Sequence, residues 1–273
     1  MTMSAPRFYL PQLPQLSAGL LDGPEARHAT SVLRLSVNDY LYLFDGQGGE
    51  ALARVTATAR GHVEFEILQR VDRDRELSQQ LTLAIALPKG DRQRTLVDAA
   101  TELGVTDFVP LRTQRGVAQP TDKALERLQR SVVEASKQCG RNRLMRIAPP
   151  QSVAELIDSR NGLKRMVAQS NISTGAMAIA EYQPLCLVAH PYDEAGTRFP
   201  LRALLDGPSR AVAIAIGPEG GFTEEEVGQM VAQQWQVIDL GMTILRVEIA
   251  AIAAVAQAAA WLRPDSPRPT TCD

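Results

Sequence analysis

The chain has 273 residues, of which 45% are hydrophobic, and a formal net charge of −2. That length suits one large domain or two ordinary ones, and that apolar share supports a buried core. The charge excludes a uniformly basic nucleic-acid binder, so any affinity for phosphate must come from a local concentration of Lys and Arg.

The opening, MTMSAPRFYLPQLPQL, has prolines where a signal peptide needs an uninterrupted apolar stretch. The first 70 residues read as β. Tyr40 to Phe44 predicts a strand, Asp45-Gly46 begins a hairpin-type turn that Gly48 and Gly49 extend, and a second strand runs through Ala51 to Thr56. After Gly61, Val63, Phe65 and Ile67 alternate with His62, Glu64 and Glu66, the pattern of a half-buried strand. Short strands of this kind suggest a small closed barrel. The polar run Asp72 to Gln80 (DRDRELSQQ) reads as a linker, which divides the chain into domains 1–72 and 73–273.

From Leu81 the rhythm becomes strand and helix in alternation. LTLAIAL is a continuous apolar run, as a parallel strand covered on both faces requires. Asp91 to Leu103 predicts a helix with Gly104 as its C′ residue. VTDFVPL is a further strand, and Lys123 to Gln138 a basic helix that ends near Gly140. Leu185 to Ala189, Ala211 to Ile216 and Trp235 to Leu240 complete the buried strands. The alternation implies a three-layer α/β domain on a mostly parallel sheet. The tail carries Pro264, Pro267 and Pro269 and is expected to fray.

Between Arg112 and Arg146 stand nine basic residues and three acidic ones. Such a segment is either a phosphate-binding surface or an ordinary solvated face. Cys139, Cys186 and Cys272 are odd in number and widely spaced, which suits neither a zinc site nor a disulfide framework and predicts a reducing cytoplasm. The longest apolar run, Ile249 to Leu262, is 14 residues and contains Gln257. That is short of the roughly 20 residues a bilayer-spanning helix needs.

Two segments near the C-terminus carry the sharpest local pattern. In AVAIAIGPEGGFTEEEV a buried strand ends at Gly217, a turn follows, and Thr223 and Glu226 have capping-box spacing at a helix start. The glycines either form an ordinary tight turn or let backbone N–H groups approach a ligand. No Gly-Lys-Ser/Thr follows, and the spaced glycines of a dinucleotide fingerprint are absent. In VIDLGMTILRVEIAAIAAVAQAAAWL a strand again ends in a glycine, Gly241, before an alanine-rich helix with eight alanines between Ala250 and Ala260. Arg246 sits at the start of that helix, where the dipole does not favour a cation, and so hints at a ligand or partner. Two such loops in succession predict one crevice at the carboxyl ends of the strands.

GPEGGF with an acidic helix start, followed by LG-x-x-ILR-x-E-x-A, resembles the RsmE branch of the SPOUT methyltransferases. LPKGDR at 87–92, TELGV at 101–105 and EASKQCGR at 134–141 resemble its methyltransferase domain. Arg7-Phe8, HATSVLRL at 28–35 and LFDG at 43–46 resemble its N-terminal PUA-like domain. The resemblance implies a trefoil-knotted α/β SPOUT domain preceded by a small PUA-like β-barrel. It also implies S-adenosyl-L-methionine (AdoMet) as cofactor, 16S rRNA of the small ribosomal subunit as substrate, methylation at uracil N3, a homodimer, and no metal or membrane. Carried over, Ile216, Gly217, Glu219, Gly220, Leu240, Gly241, Ile244, Leu245 and Arg246 would hold the cofactor.

Removal of the N3 proton and charge on the uracil oxygens make Arg246 the first catalytic candidate, with Arg115 and Arg7 behind it, while Glu219 is placed either to act as base or to orient the loop. Arg7, Arg34, Arg112, Arg115, Lys137, Arg141 and Arg143 are the candidates for RNA contact, while His28 reads as structural. The chain departs from the family pattern at Asp98, where the family commonly has Lys, at Gly116, where it usually has Ser, and at Ile249, where it usually has Thr. A SPOUT enzyme for another RNA or base atom, or a non-catalytic ribosome-assembly protein, are the competing readings; AdoMet binding separates the last from the rest.

Overall fold

The computed structural model describes residues 5–15, 17–158, 184–190, 199–201 and 211–264. The expectations for the tail beyond Pro264 and for Cys272 lie outside the described residues. The chain divides into two units, the first made of Met1–Glu76 with Val133–Leu144, the second of Leu77–Val132 with Met145–Asp273.

The first unit contains β1 (Arg7–Tyr9), β2 (Ala18–Leu21), α1 (Gly23–Arg27) with a π-helical turn at His28–Val32, β3 (Tyr40–Phe44), β4 (Glu50–Ala59) and β5 (His62–Arg70). They form one sheet in the order β1-β3-β4-β5-β2, with β1 parallel to β3 and the other pairs antiparallel. The alternation predicted for β5 appears as burial of Val63 and Phe65 against exposed His62 and Glu64. Phe8, Leu41, Leu43, Val55 and Phe65 pack one core from these alternating positions. The hairpin turn closes as Asp45 Oδ1 accepts from the N–H groups of Gln47 and Gly49, at 2.7 and 2.9 Å, and Gly46 takes φ +75°.

The second unit begins with β6 (Leu81–Ala86), α2 (Arg92–Glu102) and β7 (Asp107–Arg112). α3 (Asp122–Cys139) follows, its residues from Val133 onward belonging to the first unit. Then come β8 (Arg146–Ile147), β9 (Gln151–Ser152), α4 (Val153–Asp158), β10 (Leu185–Ala189), β11 (Phe199–Pro200) and β12 (Val212–Ile216). α5 (Glu224–Ala232), β13 (Gln236–Asp239) and α6 (Val247–Trp261) complete it. The strand order is β11-β13-β10-β12-β6-β7-β8, with β9 also on β7, and every pairing is parallel. All six residues of β6 and all five of β12 are buried, which is why both read as unbroken apolar runs. Gly104 follows α2 at φ +92°, and a Cβ there would meet Leu77 at 2.9 Å.

Parallel pairing throughout puts the carboxyl ends of β6, β7, β10, β12 and β13 along one edge. The order also reverses around β12, which lies between β6 and β10, the arrangement that opens a crevice in an α/β sheet.

Candidate functional site

A cavity of about 330 Å³ opens at that edge, lined by residues that follow β10, β12 and β13 and by the start of α6. The volume falls in the range of small-molecule sites. Of the residues expected to hold a cofactor, Ile216, Gly217, Glu219, Leu240, Gly241, Ile244, Leu245 and Arg246 line it. Gly220 does not: its carbonyl accepts a hydrogen bond from Arg115 Nη1 at 2.9 Å. Its neighbours Pro218 and Gly221 line the cavity instead.

The first loop, 217–222, is shaped by close packing. A Cβ on Gly217 would lie 2.9 Å from the backbone nitrogen of Phe222, so only glycine fits there without a shift. Phe222 is 1% exposed and anchors the loop in the core with Val188, Ala213 and Trp235. The capping box predicted at Thr223 and Glu226 is present, with Glu226 N donating to Thr223 Oγ1 at 3.2 Å and Thr223 N to Glu226 Oε2 at 2.9 Å. Glu226 is buried, and its other oxygen accepts from Gln114 N at 2.9 Å, which fastens the segment after β7 to the loop. Arg115 adds its bond to Gly220 O and a longer one to Phe222 O at 3.5 Å.

The second loop runs from Leu240 to Arg246. Gly241 takes φ +130°, and its N–H donates to Asp239 Oδ1 at 2.8 Å. Met242 and Ile244 are fully exposed, at 105% and 90%. Arg246 is the N-cap residue of α6 and makes no side-chain capping bond. Among the described residues its exposed guanidinium has no hydrogen-bond or ion-pair partner.

Chemically the cavity combines apolar walls (Ile216, Ile238, Leu240, Val247), glycine backbone, and a few charged groups, Glu219, Asp239 and Arg246. Apolar walls and main-chain groups suit an adenosine, and the carboxylates suit a cationic ligand. Glu219 is not a free carboxylate, because Arg92 Nη2 lies 3.1 Å from its Oε1. His190, at the end of β10, also lines the cavity. His190, Asp239 and Arg92 were all missed in the sequence. Arg92 carried a readable signal, a cation in the first turn of a helix; His190 and Asp239 were marked only by their place at strand ends.

The other predicted residues divide by burial. Arg7, Lys137 and Arg141 have side chains 12%, 8% and 4% exposed, and each is paired within the first unit: Arg7 with Glu50, Lys137 with Glu25 and Glu134, Arg141 with Glu76. Burial pushes the Arg7 pKa down, and the adjoining Glu50 opposes that shift. The sequence marked these charges as basic without showing that they face carboxylates. They hold the unit's own chain together, with Asn142 Nδ2 donating to Gly48 O and Arg73 O alongside. Arg34, at φ +55°, and Arg143 are exposed, while Arg112 shares a half-exposed ion pair with Glu155 at 2.8 Å. His28 lies edge-on to Phe8 at 6.1 Å. Among the described residues no group of three or more His, Cys, Asp or Glu is placed to hold a metal, and no helix is long and apolar enough to cross a membrane.

Residues 75–259 match the model of an RNA methyltransferase domain, and residues 21–68 that of an RNA methyltransferase PUA domain. The chain is 33% identical to the ribosomal RNA small subunit methyltransferase E of Synechocystis sp., over 85% of this chain and 69% of that protein. It is 31% identical to the enzyme of the same name from Rickettsia conorii, over 84% of each. Among solved structures, the ribosomal RNA small subunit methyltransferase E of Neisseria gonorrhoeae bound to S-adenosyl methionine aligns at 30% identity. The match covers 92% of this chain and 95% of that one with a TM-score of 0.74.

Proposed function

Because the chain belongs to the ribosomal RNA small subunit methyltransferase E family, we propose that it transfers a methyl group from AdoMet to N3 of a uracil in 16S rRNA. It is an AdoMet-dependent rRNA methyltransferase with an α/β methyltransferase domain and a PUA domain. The observation that carries the reading is the cavity in which both glycine-ended loops meet at the carboxyl ends of parallel strands.

AdoMet bound there supplies an electrophilic methyl group on a sulfonium. Gly217 and Gly241 let the main chain approach the adenosine, and Ile216, Leu240 and Leu245 supply its apolar walls. The N3 proton of uracil must leave before the lone pair can attack, and negative charge then spreads onto the carbonyl oxygens. Arg246, exposed at the cavity and without a protein partner among the described residues, is the residue assigned to stabilise that charge. Glu219, already held by Arg92, orients the first loop, and Arg115 acts through the carbonyls it grips.

Arg34, Arg112 and Arg143 are the surface cations assigned to RNA phosphates, which predicts that RNA binding weakens steeply with salt. Arg7, Lys137 and Arg141 are left out of that set because their charge is spent inside the first unit. A trefoil knot through the two cavity loops and a barrel closed by the five strands of the first unit belong to the same reading. So does a homodimer, supported by exposed Met242 and Ile244 and by an outward stripe of small and apolar residues on α6, Ile249, Ala253, Ala256 and Ala260. A cytoplasmic location belongs to the same reading and is supported by the odd number and wide spacing of Cys139, Cys186 and Cys272, which suit neither a zinc site nor a disulfide framework.

The test is mass spectrometry of nucleosides after incubating the protein with AdoMet and unmodified small ribosomal subunits. A 3-methyluridine signal that requires AdoMet is expected. Methylation at another base or atom overturns the assignment of N3, and no methylation despite AdoMet binding overturns that of the substrate.

A further inference from the structure

We propose that Arg92, which lies outside the cavity wall, is a positioning residue that sets the cofactor cavity by bridging Glu219 in the first loop to Glu248 at the start of α6. The inference rests on the reading of the cavity as the AdoMet site.

Arg92 is the first residue of α2, directly after its N-cap Asp91, and no acidic residue stands in that first turn. A cation there opposes the helix dipole, so its presence calls for another source of stabilisation. The structure supplies two. Nη2 lies 3.1 Å from Glu219 Oε1, and Nη1 lies 3.4 Å from Glu248 Oε2. One planar guanidinium thus gives each of its terminal nitrogens to a different carboxylate, which an ammonium cannot do with the same fixed geometry.

Where the two carboxylates sit makes the bridge functional. Glu219 lines the cavity between Pro218 and Gly221, with a side chain 38% exposed. Glu248 is 8% exposed and stands in the first turn of α6, two residues after Arg246 and one after Val247, both of which line the cavity. Arg92 is the sole ion-pair partner of either among the described residues. It therefore fixes the distance between the loop that follows β12 and the helix that follows the second loop, the two walls between which the ligand must fit.

The anchor itself is stiff. The next residue, Gln93, is buried, donates from Nε2 to Pro88 O at 2.8 Å and accepts from Arg127 Nη2 at 3.1 Å. Leu96, Val97 and Ala100 bury the inner face of α2. The guanidinium is held from a rigid turn and ties the first loop to the start of α6 at a fixed spacing.

AdoMet affinity of the full chain, measured by titration calorimetry, tests this. Arg92→Ala is expected to weaken binding about fivefold to tenfold, the scale of one half-exposed bridge plus the ordering of one loop residue. Arg92→Lys restores part of the loss, since it keeps the charge but not the fork. Glu219→Gln weakens binding less than Arg92→Ala. The double variant binds no more weakly than Arg92→Ala alone, because both changes break the same bridge. Wild-type affinity in a folded Arg92→Ala protein overturns the proposal, as do losses for Arg92→Ala and Glu219→Gln that multiply in the double variant. If Arg92→Ala does not fold, the same decision falls to Arg92→Lys and Glu219→Gln, and wild-type affinity in both overturns it. A wild-type chain that fails to bind AdoMet refutes the cofactor reading itself, a result distinct from any of these.

Discussion

The two loops that line the cavity are built in opposite ways. The first, 217–222, is held from every side by the chain's own residues: Phe222 in the core, the Thr223–Glu226 capping box, Gln114 on Glu226, Arg115 on two carbonyls and Arg92 on Glu219. The second, 240–246, is bonded locally from Gly241 N to Asp239 and carries two fully exposed apolar side chains, and the arginine at its end has no side-chain partner among the described residues. Both line the same cavity, yet only the first has a conformation that its surroundings over-determine. A preformed loop binds without an ordering cost, whereas a loop without internal support must gain its order from what binds it. On the proposed reading, the first loop serves fixed recognition and the second is left for contacts with cofactor, RNA or a second copy of the chain.

The contrast predicts that substitutions in the first loop and its anchors cost more stability than those in the second. The largest loss is expected from Glu226→Ala. Glu226 is buried and accepts from both Thr223 N, as the side-chain half of the capping box, and Gln114 N, so its removal leaves two donors without their acceptor. Together these cost about 2–3 kcal/mol in urea denaturation. A loss under about 1 kcal/mol, no more than an ordinary cap, would show that the segment after β7 does not hold the loop. Next comes Gly217→Ala. Its Cβ would press on the Phe222 backbone at 2.9 Å, and backbone yields less than a side-chain tip. Overpacking of this kind costs about 1–3 kcal/mol, and calorimetry is expected to show at least a tenfold loss of AdoMet affinity, since about 1.4 kcal/mol is tenfold.

Much of this was legible in the sequence, for reasons that differ by residue. Leu81–Leu87 and Ala211–Ile216 announced buried parallel strands because both faces of the sheet are covered, and Thr223-x-x-Glu226 announced a helix start because capping depends only on local spacing. β1 and β2 were missed: β1 is three residues among prolines, and β2 (AGLL) shows no alternation. The basic segment misled most. Arg141 is paired with Glu76, 65 positions away, and Arg7 with Glu50, 43 away, and no local pattern reveals a partner at such a distance. The departures from the family pattern have different meanings in the structure. Burial pushes the Asp98 carboxyl up, with Arg94 at 3.5 Å opposing that shift. At Gly116 a Cβ would meet Thr113 Oγ1 at 2.8 Å, so the serine usual in the family needs Thr113 to move.

In the second loop Gly241→Ala is expected to cost less than either change above. Among the described residues nothing lies within 4 Å of the added Cβ, so the penalty there is the φ of +130°. That amounts to about 1 kcal/mol. A larger loss, measured by the same denaturation, would mean that the second loop is as firmly packed as the first and would remove the contrast.

The smallest effect belongs to Ile249→Thr, which restores the residue usual in the family. Ile249 is 47% exposed on α6, beside the second loop and outside the cavity wall. Its replacement leaves every internal contact of consequence in place, so the chain's own stability should move by no more than about 0.5 kcal/mol. The apolar surface it removes is already in water in the isolated chain, and it contributes free energy only if something covers it. On the homodimer reading, sedimentation equilibrium of the variant should show self-association weakened about threefold to tenfold, the worth of the exposed part of one isoleucine on each copy. Unchanged association would place the dimer contact elsewhere and leave the bare second loop to the RNA. A change in the stability of the single chain, without one in association, would show instead that Ile249 is part of the unit's own packing and that the second loop ends on firmer ground than its exposure suggests.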